Sequence, residues 1–514
     1  MNKLLTRSIV FLISIQLQAQ DVEANIHLDV KMTEVFKDNR KFTDLAYSTH
    51  DNDGGLFILR AYKKGYYIEH YDKNIKLLDS YDFEVEKNRG AIQSAFMSGD
   101  NLCLIESLYN KDDKQMQYFI NKTPKSNFSF TREPLFSVPL KEIKKQPFFS
   151  FGFGGSSEDS DIYGDFRTSK YQKYIAFTID IKNEDSETHR LFVFNNNLEK
   201  IYQTEFTRGI KDRKFSLQNI DIDERDGTVY LLGKTYTREK KKKKEGGKYQ
   251  FELFKIKGDS QKSLVFDSSE NYIGSLTTVI NEGKLICVGF YSEKNDSRYK
   301  GLTYFDIDPE SLTMKKSVYS PFTEQFILDK YGKEKDKELR NISFRDIHIT
   351  ETNECILNAE EFYITSHYVS NQYGGYWRYV YNFRDIVSAK IGTDGKLTWA
   401  RNINKRTAAS YYSPYLSYTS THNQGKTYFF LNCSDKVKKL RNDRLEFKGV
   451  KQKKSNFYVI TLDENGSFEY KKVLDDKDSE VPFALGDGIV NNNGKDIIFQ
   501  GRKGSKKQVM KVSL

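Results

Sequence analysis

The stretch Leu276–Phe290, LTTVINEGKLICVGF, decides how this chain is read. Two apolar runs flank Asn281, Glu282, Gly283 and Lys284, a polar turn with a glycine placed to take positive φ. Strand, tight turn, strand is the reading, and it recurs. Working outward, the second and more apolar run is one of eight along the chain: Leu56–Lys63 (LFILRAYK), Leu102–Tyr109 (LCLIESLY), Tyr174–Asp180 (YIAFTID), Val229–Tyr236 (VYLLGKTY), Leu285–Ser292 (LICVGFYS), Cys355–Phe362 (CILNAEEF), Tyr428–Asp435 (YFFLNCSD) and Ile497–Gly504 (IIFQGRKG). The turns before them match in kind, as DNDGG, SGDN, ERDG, NEGK, TETN, NQGK and NNNGK, with the weakest at Lys170–Lys173 in the third unit. A second hairpin recurs downstream, as in Tyr71–Leu78 (YDKNIKLL), Ile391–Trp399 (IGTDGKLTW) and Leu462–Phe468 (LDENGSF).

Four short strands per unit, copied with a loose period, predict an all-β chain built as a single β-propeller. Eight blades are counted, beginning near residues 43, 91, 165, 215, 271, 341, 411 and 481. Seven blades is the count if the third unit is an insertion. A series of β-sandwiches also gives short strands and regular turns, but it leaves the doubled hairpin unexplained. The ends point to closure. The last unit stops at Val509–Leu514 (VMKVSL), a third strand with no fourth, while Asn25–Met32 (NIHLDVKM) alternates like a strand and belongs to no unit. Pairing the two is expected to close the ring and remove two open edges.

Composition agrees. The 514 residues hold 34 Tyr and 37 Phe but only 8 Pro, which suits many uninterrupted ladders. Residues 1–20 read as a secretory signal peptide, with Lys3 and Arg7 ahead of the apolar core Ser8–Leu17 and a small residue at Ala19. That core is too short to span a bilayer, and no other run is apolar enough. The domain is then 21–514. Formal charge is +10, falling to +8 once Lys3 and Arg7 are removed, with both signs spread along the chain. This is a weak pull toward an acidic glycan, lipopolysaccharide or nucleic acid. Cys103, Cys287, Cys355 and Cys433 each sit inside an apolar strand pattern, and they read as small buried residues rather than as a disulfide or metal set.

In a propeller the first–second and third–fourth turns share one face. Here those are short, and the other connections are long and varied, so the long-loop face is the expected binding side. Four stretches on it stand out. Phe148–Asp165 is Gly/Ser-rich, with Glu158, Asp159, Asp161 and Asp165, and reads as a solvated loop before a calcium site. Lys240, Lys241, Lys242, Lys243 and Lys244 form a basic surface run. Glu360–Arg384 (EEFYITSHYVSNQYGGYWRYVYNFR) is the most unusual segment. Its Tyr363, Tyr368, Tyr373, Tyr376, Trp377, Arg378 and Tyr379 are the candidate partner-binding residues. The alternative is a long hairpin whose aromatics pack on neighbouring blades. Lys436–Lys454 is a second basic loop, read as solvated charge.

No catalytic, metal or cofactor motif is found. The histidines, His27, His50, His70, His189, His348, His367 and His422, show no zinc spacing, and no G-x-S-x-G elbow exists. Asp44, Asp221, Asp223, Arg345, Asp346 and Asp487 fall on first strands, which line a propeller's channel. They either converge on a ligand or merely line a wet channel.

The signal peptide ending in LQAQ, the segment EEFYITSHYV, and RDIVSAKIGTDGKLTWARNINK followed by TYFFLNCSD resemble a set of secreted, uncharacterised β-propeller proteins of Bacteroidetes, closely over about residues 340–440. The resemblance implies an exported protein of a Gram-negative envelope, periplasmic or outer-membrane associated, or secreted. It implies no catalytic residues. The expected function is binding or scaffolding on an envelope or outer-membrane protein through the long-loop face, with no nucleic acid and no transmembrane segment in the mature chain. The alternative is a glycan-active or glycan-binding propeller with its site at the channel mouth.

Overall fold

A computed structural model describes residues 26–514 apart from 38–43, 88, 145–163, 212–213, 237–248, 268–270, 294–297, 335–338, 372–373 and 492. The fold is all-β, and the described residues form eight sheets that follow one another along the chain, antiparallel apart from one pairing in the sixth. Their first strands are Asp44–His50, Gly90–Ser98, Asp165–Thr168, Phe215–Ile222, Asn271–Asn281, Ile342–Ile349, Tyr418–Asn423 and Ile489–Val490. In the first seven sheets, four strands run side by side as a meander. The expected turn of the opening motif is present: Glu282 and Gly283 both take positive φ, at 48° and 84°, the geometry that matches strand twist in a two-residue hairpin.

The seventh and eighth first strands begin later than expected. Residues 410–417 make a turn around Pro414, which has no N–H to give a ladder, and a short 3-10 turn at Leu485–Asp487 precedes Ile489–Val490.

The second strands explain the repeat physically. Each is buried on both faces, so its sequence is a continuous apolar run rather than an alternation. In Lys284–Glu293, Leu285 and Cys287 join a core with Leu232 and Leu253 of the fourth sheet, while Ile286 and Val288 join Leu357 and Ala389 of the sixth. The same division holds throughout. Phe57 and Leu59 pack with Leu102 and Leu104; Phe96 and Tyr118 with Phe177 and Phe192; Leu191 and Val193 with Leu231 and Phe254. Ile356 and Ile386 pack with Phe429 and Leu431, and Phe430 and Val459 with Ile497 and Phe499. Finally Ile498 and Val509 of the eighth sheet pack with Leu56 and Ile58 of the first. Every sheet therefore shares one core with the sheet before it and another with the sheet after it. Separate two-sheet sandwiches would give one core per pair, and they are not found.

The eighth sheet takes its fourth strand from the other end of the chain. Asp29–Met32 pairs antiparallel with Ser513 to Met510, and Ile26 is buried in the core between the seventh and eighth sheets. Phe36–Lys37 adds a second short pairing to Lys506–Ser513. The basic stretch 436–454 departs from the solvated loop expected. Leu445–Lys448 pairs in parallel with Asn404–Arg406 and extends the sixth sheet, because Phe447 on it is apolar and fully buried. Among the described residues no helix is long and apolar enough to cross a membrane.

Deleting residues 21–37 strips the outer strand from Lys506–Ser513 and uncovers an edge. The shortened chain is expected to unfold at a lower temperature in calorimetry and to show self-association in light scattering. Unchanged values on both would show that this pairing contributes nothing.

Candidate functional site

The sixth sheet is unlike the others. Its second and third strands, Cys355–Asn371 and Gly374–Ile391, far outrun their neighbours. The first strand stops supporting them at Glu361, where Ile342 is the last partner, and the fourth stops at Tyr381, opposite Ala409. Beyond those points the two strands continue as a bare ribbon, projecting about 25–30 Å at ~3.3 Å per residue. Register sorts its side chains. Tyr368 lies opposite Trp377, Ser366 opposite Tyr379 and Ile364 opposite Tyr381, all on one face. Thr365 with Val380, His367 with Arg378 and Val369 with Tyr376 occupy the other. Tyr368 and Trp377 meet edge to face with centroids 5.5 Å apart.

Among the described residues, most of these aromatics stand in solvent rather than packed on neighbouring sheets. Tyr368, Tyr376 and Trp377 are 57–58% exposed, and Ile364 and Tyr379 50%. Arg378 is exposed as well, while Tyr363 is half-buried at the root, where Arg384 lies over its ring. Tyr373 and Lys240–Lys244 lie outside the described residues, as does most of the acidic Gly/Ser-rich loop.

The root of the ribbon is held by buried charge. Glu360, fully buried, accepts from Lys405 Nζ at 2.8 Å, Ser417 Oγ at 2.7 Å and the Arg345 guanidinium. The helix Glu324–Tyr331, capped by the Thr323 hydroxyl, brings Lys330 Nζ to 3.0 Å from Glu361 and 2.7 Å from Asp385. Asp385 also accepts from the Lys405 backbone N–H and from Asn402. Three cations thus face three carboxylates. Burial works against the charged form of Lys330, but Asp385 and Glu361 outweigh it and hold the ammonium above its ordinary value. Burial pulls Lys405 down, opposed by Glu360. Phe362 and Phe383 pack at 4.8 Å just above. None of this pairing was legible in the sequence, where Glu360, Lys330 and Lys405 are ordinary charged residues far apart in the chain.

The polar groups expected on first strands do not converge as a set, and two of them lie off those strands: Asp223 just past Phe215–Ile222 and Asp487 in the 3-10 turn before Ile489–Val490. Asp221 accepts from Ile280 N at 2.8 Å and Ile222 N at 2.9 Å, joining the fourth sheet to the fifth. Asp223 is ion-paired with Arg225 at 2.7 Å, and Asp346 takes bonds from Asn358, Ser420 and His348. Within the set, burial pushes the Asp487 carboxyl up and Arg345 pulls it back, and Asp223 adds to the rise of Asp221. Asp221 and Asp346 thus join adjacent sheets through hydrogen bonds. For Asp44, only its place in the strand is described.

One grouping escaped the sequence. Glu187 and His189, two apart on one strand, lie on the same face as Asp180 of the preceding, adjacent strand, and their ligand atoms sit within 4.8 Å. The signal was a Glu-x-His in a strand opposite an Asp. Such donors could hold a cation, but Lys144 Nζ already stands 3.0 Å from Asp180, and we take the group as structural. The four cysteines are buried and free, and burial pushes the Cys103, Cys287 and Cys355 thiols up to about 12, away from reactivity.

No family model and no curated protein matches this chain. Among solved structures it is similar to the β-propeller domain of the Trilobed protease from Pyrococcus furiosus, at 10% identity and TM-score 0.34 over 70% of this chain and 94% of that one. It is also similar to dipeptidyl peptidase 4 of Porphyromonas gingivalis, at 10% identity and TM-score 0.43 over 90% of this chain and 56% of that one. The polysaccharide lyase Uly1 gives 10% identity and TM-score 0.35 over 90% and 89%. With scores this low, the reading of this chain stays with its own sheets and cores.

Two measurements check the site's electrostatics. Lys405→Met leaves Glu360 short of a buried partner and is expected to destabilise by about 3–5 kcal/mol in urea unfolding, with faster amide exchange across residues 355–391. Burial also pushes the Asp221 carboxyl up to about 6 from 3.8. The unfolded chain therefore ionises first as pH rises. The stability contributed is full below pH 3.8 and lost by about pH 6, on the order of 3 kcal/mol at 1.36 kcal/mol per unit. Subtracting the Asp221→Asn profile from the wild type should reveal that fall.

Proposed function

We propose that the eight sheets are the blades of one eight-bladed β-propeller, its ring closed by the N-terminal strand. We further propose that the protein is exported to the cell envelope, periplasmic or outer-membrane associated, where it holds a protein partner. The cyclic chain of shared cores and the pairing of Asp29–Met32 with the last strand support the architecture. The lysine- and arginine-led apolar start of the sequence supports export.

The observation that carries the binding role is the ribbon. Ile364, Tyr368, Trp377 and Tyr379 stand on one face, each half exposed or more, on a strand pair fixed at its root by buried ion pairs. Large aromatics left in water on a well-anchored element are the composition of an interface centre, not of a free surface. Two-torsion side chains such as Tyr and Trp also lose little entropy when a partner covers them. The face turned toward the partner is the Tyr368–Trp377 face; His367 and Arg378 lie on its back. Binding rather than catalysis fits Asp221 and Asp346, whose carboxylates are engaged in joining adjacent sheets.

The test is recovery of partners from native envelopes by the wild type and by the Trp377→Ala/Tyr379→Ala variant. Hot-spot aromatics lose about 2–4 kcal/mol each on truncation, a drop of roughly 30-fold or more. A partner held by the wild type should be lost from the variant while melting temperature is unchanged. Equal recovery by both would overturn the reading.

A further inference from the structure

A cavity of about 990 Å³ opens between the second and third sheets, away from the ribbon. It lies on the side of the second–third strand connections. Lys111 and Lys114 reach it from the turn between Asn101–Asn110 and Gln115–Pro124, and Lys182 from the connection that precedes Glu187. Lys141 arrives from the segment after Pro139. Four cations from three separate segments thus face one concavity. Among the described residues none of the four makes an ion pair. A fifth, Lys144, is neutralised by Asp180. Among the described lining residues the carboxylates are Asp113, already hydrogen-bonded by Asn110, and Glu184. Tyr109, Leu140 and Ile143 supply an apolar wall.

We propose that this cavity binds a short acidic saccharide, one carrying carboxylate or sulfate groups. Like charges gathered in a concave site focus the potential and favour an anion. The volume matches pockets for small ligands, about 300–1,000 Å³. No arginine lines the site among the described residues, so the bidentate fork suited to phosphate is missing. Lysines act as separate point charges, which fits singly anionic groups spaced along a sugar chain. One tyrosine gives a pyranose face something to lie on, but it cannot stack successive bases, and this disfavours single-stranded nucleic acid. The proposal stands apart from the ribbon: either can fail alone.

Titration calorimetry at low salt tests it on the full chain, with four probes: a tetragalacturonate, a heparin-derived tetrasaccharide, neutral maltotetraose and an oligothymidylate. One of the two acidic saccharides should bind, and which one distinguishes carboxylate from sulfate. Lys111→Glu/Lys182→Glu should weaken it at least tenfold, and the milder Lys111→Gln/Lys141→Gln should weaken it as well. Lys396→Glu/Lys426→Glu, exposed lysines elsewhere with the same change in net charge, should stay within twofold of wild type. Circular dichroism confirms that each variant is folded. Failure of both acidic saccharides to bind would overturn the proposal. So would an equal loss in the distant variant, or maltotetraose or oligothymidylate binding as tightly as the acidic probes.

Discussion

Burial of the second strand on both faces is the constraint from which the rest of the molecule follows. Leu285 and Cys287 point one way and Ile286 and Val288 the other, and all four are fully buried. At roughly 1.5–3 kcal/mol for each large apolar side chain removed from water, neither face can be left open. A sheet with two apolar faces needs a neighbour on each side. That requirement propagates from sheet to sheet, and it is met at the ends only because the eighth sheet packs on the first. The outermost strands are where burial stops: Leu77–Glu84 and Lys200–Arg208 are mostly exposed or half-buried and largely polar.

Polar groups near the first strands serve the same packing. Asn219 exchanges two hydrogen bonds with the Thr278 backbone, and Asp221 accepts from Ile280, so adjacent sheets are joined where side chains are short of apolar partners. A carboxylate engaged this way is a poor candidate for acid–base work. Buried charge gathers at the root of the sixth sheet, where Glu360, Glu361 and Asp385 meet Arg345, Lys330 and Lys405. Buried ion pairs seldom add much net stability, but they penalise every arrangement that separates them. Here they set the direction in which a long two-stranded ribbon leaves the body.

That ribbon follows from its local sequence. Its strands are rich in β-branched and aromatic residues, so they pair without support from the rest of the sheet. Register then places Tyr368, Trp377 and Tyr379 on one face, and the loss of both flanking strands leaves that face in solvent. The lysine-lined cavity between the second and third sheets lies on the same side of the strand connections, yet it depends on different elements.

The sequence by itself determined what depends on neighbours in the chain. Turn residues and apolar runs placed the eight second strands within a residue or two in most units. The alternation of Asn25–Met32 pointed to its pairing with the final strand, while for the tyrosine-rich segment a long hairpin was one reading, with aromatics expected to be packed that the structure leaves exposed. Only tertiary structure decided which charges are buried together, because Glu360, Lys330 and Lys405 meet through packing that no local pattern encodes. The docking of Leu445–Lys448 on the sixth sheet, the grouping of Asp180 with Glu187 and His189, and the convergence of four lysines are of the same kind. Period and turn chemistry are short-range and can be read from a sequence; the partner of a buried charge is set by how whole sheets lie against one another.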